Sequence, residues 1–171
     1  MSQSTVKNVA LRLGQISLLV AVLGLLAGPA FAAGSAKKEE PKDTADSLYN
    51  TGIDHLKKGD YAGASKKFKK AVEMKDDFAA AHNNLGYSLR KQGAEHFDAA
   101  LKHYNRALEL DPDMAQAYHY RGVLHALAGD EKAAKADHAA LVKLDREMAD
   151  ELMQVLASGE EPGGHAGAAW K

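Results

Sequence analysis

The chain contains eight histidines and no cysteine, so histidine is its main candidate for metal or catalytic chemistry. Zinc-protease motifs place two histidines four residues apart around a glutamate, and structural zinc sites usually add thiolates. No histidine pair stands in such a motif, so the sequence predicts no metal site and no cofactor. By position, His55, His125 and His138 are expected to pack against neighbouring helices and to make stability sensitive to mildly acid pH. His96 is expected in a turn, His103 on an outer helix face and His165 in the C-terminal tail.

Other catalytic signatures are also missing. The sequence has no nucleophile elbow, no P-loop and no dinucleotide-binding glycine pattern, so we expect no enzymatic activity and no small-molecule substrate. Its 22 basic and 23 acidic residues give a net charge of −1, which does not suit a nucleic-acid-binding protein. An enzyme or metal carrier that uses the histidines is the alternative, and metal analysis of the purified protein tests it.

Small residues recur along the chain with the spacing of a repeat. Gly52, Gly86 and Gly122 are 34 and 36 residues apart, and a second glycine series and an alanine series follow them (Gly59, Gly93 and Gly129; Ala64, Ala100 and Ala134). Apolar residues at helical spacing divide each repeat into two helices. A glycine inside a helix costs roughly 1 kcal/mol relative to alanine. Its recurrence therefore predicts that a neighbouring helix touches the backbone there, with Phe68 and Tyr104 filling the space one turn later.

This pattern resembles the tetratricopeptide repeat (TPR), and the middle repeat matches the family signature best, with His82, Leu85–Gly86, Leu89, Ala100, Tyr104 and Pro112. The outer repeats depart from it at the leucine, aromatic and proline positions, as terminal repeats commonly do (Thr51, His55 and Asp76; Arg121, His125, His138 and Arg146). The resemblance implies an all-α fold, a right-handed α-solenoid of three TPR helix pairs plus a C-terminal capping helix. The domain would span 45–158, with repeats at 45–78, 79–114 and 115–148 and the capping helix ending at 158.

In this family the first helices of successive repeats line a concave groove that receives a peptide or helix of a partner protein. Counted from the glycine positions, the groove would be lined by Tyr49, Asn50, Ile53, Asn83, Asn84, Tyr87, Arg90, His119, Tyr120 and Val123. Asn50 and Asn84 match the asparagine that family members use to hold a peptide backbone, since an amide donates and accepts at once. The alternative is that these asparagines bond within the repeat. Asn84, Tyr87 and Tyr120 are expected to face the partner and to contribute little to the fold.

One known specificity of the family does not fit. The TPR clamp for acidic C-terminal tails uses two lysines, an arginine and two asparagines. The positions of the basic residues and of the first asparagine here carry Tyr49, Ile53, Gln116 and Tyr120, and only Asn84 matches. The resemblance therefore implies an aromatic and aliphatic groove with sparse charge, which favours a partner segment of mixed polarity.

The N-terminus has the features of an export signal. Lys7 and Arg12 precede an apolar run at 16–27, and Ala30–Phe31–Ala32 supplies a cleavage pattern. We expect a signal peptide at 1–32, a flexible linker at 33–44 and a disordered tail at 159–171, in a periplasmic or secreted protein. The alternative is an uncleaved inner-membrane anchor at 16–33, which would be the protein's only contact with a membrane.

These features predict an adaptor of the bacterial cell envelope that binds one unidentified protein partner in its groove. The alternative is a structural assembly subunit that self-associates through the ends of the solenoid. Residues 145–161 contain six acidic residues and one basic residue, which disfavours simple stacking of the capping helix on a second copy.

Overall fold

Short turns separate seven α-helices in the computed structural model, which describes residues 43–161. The helices are α1 (Ala45–Lys57), α2 (Tyr61–Met74), α3 (Ala79–Arg90), α4 (Phe97–Leu110), α5 (Ala115–Leu127), α6 (Glu131–Leu144) and α7 (Arg146–Ser158). A 3-10 turn at Ala94–His96 precedes α4 and accommodates the two-residue insertion of the middle repeat. Residues 43–161 contain no β-strand.

Side chains at the turns explain where the helices begin and end. The carboxylates of Asp60, Asp130 and Asp145 accept hydrogen bonds from backbone N–H groups in the first turn of α2, α6 and α7, at 2.8, 3.0 and 3.1 Å. Such N-caps pair donors that no residue within the helix can pair. Gly59 and Gly129, just after α1 and α5, have φ of 72° and 80°, a left-handed conformation that favours glycine.

Three antiparallel helix pairs form the domain, and the seventh helix closes it. α1 packs on α2, α3 on α4 and α5 on α6, while α2 contacts α3 and α4 contacts α5. α7 packs against both α5 and α6. Short connections make sequential helices neighbours, so each pair is one repeat. The arrangement confirms the all-α helical-repeat fold that the sequence predicts.

The repeated glycines lie where helices touch, as predicted. A Cβ atom added to Gly86 would stand 2.8 Å from the Tyr104 ring and 3.1 Å from the Ala100 carbonyl oxygen. At Gly52 the added atom would stand 2.6 Å from the ring of Phe68. The aromatic ring of the second helix therefore lies directly against the glycine of the first helix in these two repeats.

The third repeat reaches the same packing by another route. Its second helix has His138 where the other repeats have an aromatic residue. Leu152 of α7 instead lies against Gly122, close enough to collide with an added Cβ atom. Leu152 is fully buried in a cluster with Val123 and Leu141. The capping helix thus fills the space that a ring fills in the first two repeats.

A buried ion pair explains Arg121, which stands where the family signature has leucine. Its guanidinium donates to both carboxylate oxygens of Asp137 on α6, at 2.6 and 3.1 Å, and to the side-chain oxygen of Asn105 on α4 at 2.7 Å. The Asp137 side chain is only 4% exposed. Burying a carboxylate requires a charged partner, so Arg121 and Asp137 together replace an apolar contact and join three helices.

The predicted export signal at 1–32, the alternative anchor at 16–33, most of the linker and residues 162–171 of the tail lie outside the described residues. None of the seven helices within residues 43–161 combines the length and the hydropathy that a membrane-spanning segment needs.

Candidate functional site

Side chains of α1, α3 and α5, the first helices of the three repeats, meet on one face of the domain, which we call the α1–α3–α5 face. Asn84 on α3 donates to the Tyr49 hydroxyl on α1 at 3.1 Å. The Asn83 amide donates to the side-chain oxygens of Asn84 and of Gln116 on α5, both at 3.4 Å. These contacts form a polar chain across all three repeats.

Four tyrosines lie beside this chain, towards the C-terminal end of α3. The Tyr87 ring on α3 is 4.8 Å from the Tyr120 ring on α5 and 6.1 Å from the Tyr61 ring on α2. Tyr104 on α4 is 6.3 Å from Tyr120. Such separations are typical of favourable aromatic pairs. The tyrosines therefore form a continuous aromatic cluster that connects all three repeats.

Arg90 lies against this cluster with its side chain only 2% exposed. Its guanidinium carbon is 5.4 Å from the centroid of the Tyr87 ring, within cation–π range. The adjacent Lys91 places its ammonium 5.9 Å from the centre of the Tyr61 ring. Two cations are thus held at one end of the α1–α3–α5 face, one of them almost completely removed from water.

Glu161, beyond the end of α7, pairs with both cations. Its two carboxylate oxygens accept from the two terminal nitrogens of Arg90 at 2.9 and 3.1 Å, a bidentate pair, and one also accepts from Lys91 at 3.2 Å. Bidentate arginine–carboxylate bonds are among the strongest in proteins. The C-terminal segment therefore returns across the domain to reach α3, 71 positions earlier in the chain.

The local environment keeps these groups charged and the neighbouring phenols neutral. Burial alone would raise the pKa of Glu161, but the hydrogen bonds and charges of Arg90 and Lys91 outweigh burial and lower that pKa. Burial works against the charge of Arg90 as well, yet its contacts with Tyr104 and Glu161 raise its pKa further above the usual value. Burial, with Tyr61 nearby, raises the pKa of Tyr87 to about 12.

Comparison with known proteins identifies this architecture. Residues 52–93 and 95–129 match the family model of the TPR repeat. The repeats of this chain are tetratricopeptide repeats.

Solved TPR structures share its fold at low sequence identity. The first TPR domain of Spaghetti, bound to an HSP90 peptide, is 22% identical with a TM-score of 0.60, covering 67% of this chain and 94% of its own. YrrB, a TPR protein with an unusual peptide-binding site, is 23% identical with a TM-score of 0.61, covering 66% of this chain, which spans 58% of YrrB. PcrH, in complex with the chaperone binding region of PopD, is 19% identical with a TM-score of 0.61, covering 70% and 93%.

The ten predicted groove residues of this TPR domain differ widely in exposure. Asn50 is exposed, and Tyr49 and Ile53 are half-buried against the first hydrophobic core. His119 is half-buried, with its ring 3.4 Å from the Glu151 carboxylate on α7. Val123 is buried in the cluster shared with α7. The other five are buried in the polar chain and the tyrosine cluster (Asn83, Asn84, Tyr87, Arg90 and Tyr120).

This burial corrects one sequence-based expectation. Asn84, Tyr87 and Tyr120 were expected to contribute little to the fold, but they are only 4, 8 and 8% exposed. Asn84 bonds to side chains of neighbouring helices, and the two tyrosines pack on each other. Their substitution will therefore change stability as well as the surface.

Four residues contribute to this face but were not among the ten predicted groove residues: Tyr61, Lys91, Gln116 and Glu161. Tyr61 and Glu161 lie outside the first helices from which groove residues are counted. The two consecutive cations Arg90–Lys91, which follow the amide pair Asn83–Asn84 and Tyr87, are the sequence signal that marks this end of the face.

The histidines include one pair that the sequence did not predict. His103 was expected on an outer helix face but is half-buried, and its ring stacks on His82 with the centroids 5.4 Å apart. Their Nδ1 atoms are 3.1 Å apart. His55, expected to pack, bonds through Nδ1 to the Asp60 carboxylate at 2.7 Å. Residues 43–161 contain no cluster of three His, Asp or Glu side chains able to hold a metal ion.

Proposed function

We propose that this protein is an adaptor of the bacterial cell envelope that binds a peptide or helix of one protein partner in a groove along the α1–α3–α5 face. The observation that carries the proposal is the line of amide and tyrosine side chains that joins the first helices of all three repeats. Amides can bond a partner's backbone, and tyrosine supplies large, rigid contact area.

The similar structures support a binding role in general terms. Two of them hold a peptide or a binding region of another protein, and a third has a peptide-binding site. No catalytic motif accompanies the repeats, so we propose that binding is the whole activity, without nucleic acid, cofactor or small-molecule substrate.

The test is capture of the partner from the protein's own host, followed by titration with groove variants. Asn50→Ala suits this test because Asn50 is exposed and its loss should leave the fold intact. Removal of hydrogen bonds of about 0.5–1.5 kcal/mol each should weaken binding severalfold. Tyr87→Phe and Tyr120→Phe test the hydroxyl groups while keeping the rings.

The matched control is Lys102→Ala, an exposed residue on α4. It should leave binding unchanged, and circular dichroism should show the same helical signal for every variant. Unaltered binding by all the α1–α3–α5 variants, with loss of binding after a change elsewhere, would exclude this face as the site.

The envelope location depends on the N-terminal segment. We propose cleavage after Ala32 and a periplasmic or secreted mature protein that begins at Ala33. N-terminal sequencing of the protein from the envelope fraction tests this. An intact Met1 in the membrane fraction would instead support the anchor at 16–33.

Self-association is the second candidate function, and exposed apolar side chains on the last helices favour it. Val142, Leu144 and Met153 are 47, 38 and 44% exposed on α6 and α7. Light scattering over a concentration series separates the two functions, because an assembly subunit would increase in mass whereas an adaptor would stay at one mass.

A further inference from the structure

Arg90 presents an unusual electrostatic problem for a small helical domain. Its guanidinium is almost completely buried against tyrosines, and a buried charge is unfavourable unless it is paired. Within residues 43–161, the ion pairs of Arg90 and Lys91 both go to Glu161. The neutralising carboxylate is therefore supplied from outside the repeats.

The two sides of this contact differ in how firmly they are held. Arg90 and Tyr87 belong to α3, and Tyr87 packs in the main hydrophobic core. Glu161 lies on the segment that leaves α7 at Gly159, which we call the arm. Gly159 has φ of 71°, and a Cβ atom added there would meet no atom within 4 Å. Ser158 makes hydrogen bonds with the backbone of Glu160. Within residues 159–161, the hydrogen bonds to α3 come from the Glu161 carboxylate alone. Arg90 is therefore held against the core by its own helix, whereas Glu161 reaches it from a segment beyond the last helix.

We propose that Arg90, Lys91 and the adjoining tyrosines form a carboxylate-binding pocket, which Glu161 fills in the unbound protein and an aspartate or glutamate side chain of the partner fills in the complex. Arg90 and Lys91 lie outside the positions of the TPR clamp for acidic tails. This inference rests on the proposed function, since it assigns one subsite of the same face.

The charge of the pocket determines which partner can displace the arm. A neutral segment that removed Glu161 would leave Arg90 buried beside tyrosines with no counter-ion. An acidic side chain can repeat the bidentate geometry of Glu161, so the exchange keeps the number of charged hydrogen bonds constant. The arm therefore acts as a selectivity device that admits acidic segments and opposes neutral ones.

The first experiment is chemical rescue with acetate as the probe. Glu161→Gln should lower the melting temperature of the full chain by about 4–8 °C. Sodium acetate should restore a larger part of that loss than sodium chloride at equal ionic strength, because only acetate reproduces the carboxylate. Glu160→Gln is the matched control, since Glu160 is exposed and Glu161, not Glu160, bonds to the cations.

Acetate rescue should disappear when Arg90→Gln is added to Glu161→Gln. If that double variant does not fold, Lys91→Gln in the same background should reduce the acetate response instead. A melting temperature that Glu161→Gln leaves unchanged, or a loss that acetate and chloride restore equally, would overturn the pocket.

The second experiment measures exchange with a peptide of residues 157–163, acetylated and amidated so that it carries no terminal carboxylate. It should bind the Glu161→Gln chain roughly tenfold more tightly than the unaltered chain, whose own arm competes at an effective concentration in the millimolar range. The same peptide carrying both Glu160→Gln and Glu161→Gln should not bind, because it offers no carboxylate. Equal affinity for both chains, or no binding to either, overturns the proposal that Glu161 is an exchangeable occupant.

The two proposals fail in different ways. If Asn50→Ala weakens partner binding while acetate has no specific effect, the groove stands and the pocket is refuted. If acetate restores the melting temperature of Glu161→Gln but no substitution on the α1–α3–α5 face changes the affinity for the partner, the pocket stands as a carboxylate site and the proposed function is refuted.

Discussion

Acidification from about pH 7 to about pH 5 should destabilise this domain through the stacked His82 and His103. The Nε2 atom of His82 is 3.0 Å from the Asp76 carbonyl oxygen, so Nε2 donates and Nδ1 of neutral His82 accepts from His103. A proton added to His82 would place two N–H groups against each other. Burial lowers the pKa of both rings, and for His103, with His82, Lys102 and Lys69 adding to the effect, the pKa falls from 6.5 to about 4.

The sign follows from proton binding. Above about pH 6.5 both the folded and the unfolded chain hold a neutral His103, so this residue contributes no pH dependence. Between about pH 6.5 and 4 the unfolded chain binds a proton that the folded chain does not, and stability falls as the pH falls. At pH 5 the His103 shift corresponds to about 2 kcal/mol, and partial solvent screening of this half-buried ring reduces it to about 1 kcal/mol.

Denaturant unfolding at a series of pH values, followed by circular dichroism, measures this effect. His103→Gln removes the titrating ring but keeps a hydrogen-bonding side chain, so about 1 kcal/mol of the pH dependence between pH 7 and 5 should disappear. His96→Gln, in the 3-10 turn, is the matched control and should retain the full dependence. Identical pH profiles for the unaltered chain and His103→Gln, or stability that rises on acidification, would refute the reasoning.

Two further predictions concern the packing between repeats. Gly86→Leu forces a side chain against Tyr104 and should lower the free energy of unfolding by about 1–3 kcal/mol; an unchanged melting temperature would show that the glycines are not contact positions. Asp137→Ala leaves the Arg121 charge without its carboxylate and should cost about 3–5 kcal/mol in urea unfolding. Replacing Arg121 and Asp137 together by leucine should recover most of that loss, and a double variant as unstable as Asp137→Ala would contradict this account.

The sequence was sufficient to predict the elements that recur. Gly52 and Gly86 each meet an aromatic ring of the paired helix, and one packing solution repeated along a chain leaves a periodic pattern. The same periodicity locates the helix ends at Gly59 and Gly129. Spacing therefore predicts a repeat of two helices, and the resemblance to the tetratricopeptide repeat implies the rest of the all-α fold.

Contacts that occur once could not be predicted in this way. Arg121 meets Asp137 across 16 positions, His82 meets His103 across 21, and Arg90 meets Glu161 across 71. Arg121 is a departure from the repeat and Arg90 is a buried charge, and in all three contacts the position of the partner depends on the folded geometry. Sequence analysis marked Arg121 as a departure from the repeat but had no means to identify its partner.

The contact between Gly122 and Leu152 has a consequence for how such a chain can lengthen during evolution. The middle repeat carries its own ring for its own glycine, so its coding segment can be duplicated and each copy will pack. In the third repeat, Leu152 of α7 fills the space beside Gly122. A tandem copy of the third repeat alone would leave the first copy with an unfilled space beside Gly122. Growth by duplication is therefore expected to proceed from the interior of the array, with the third repeat and α7 inherited as one unit.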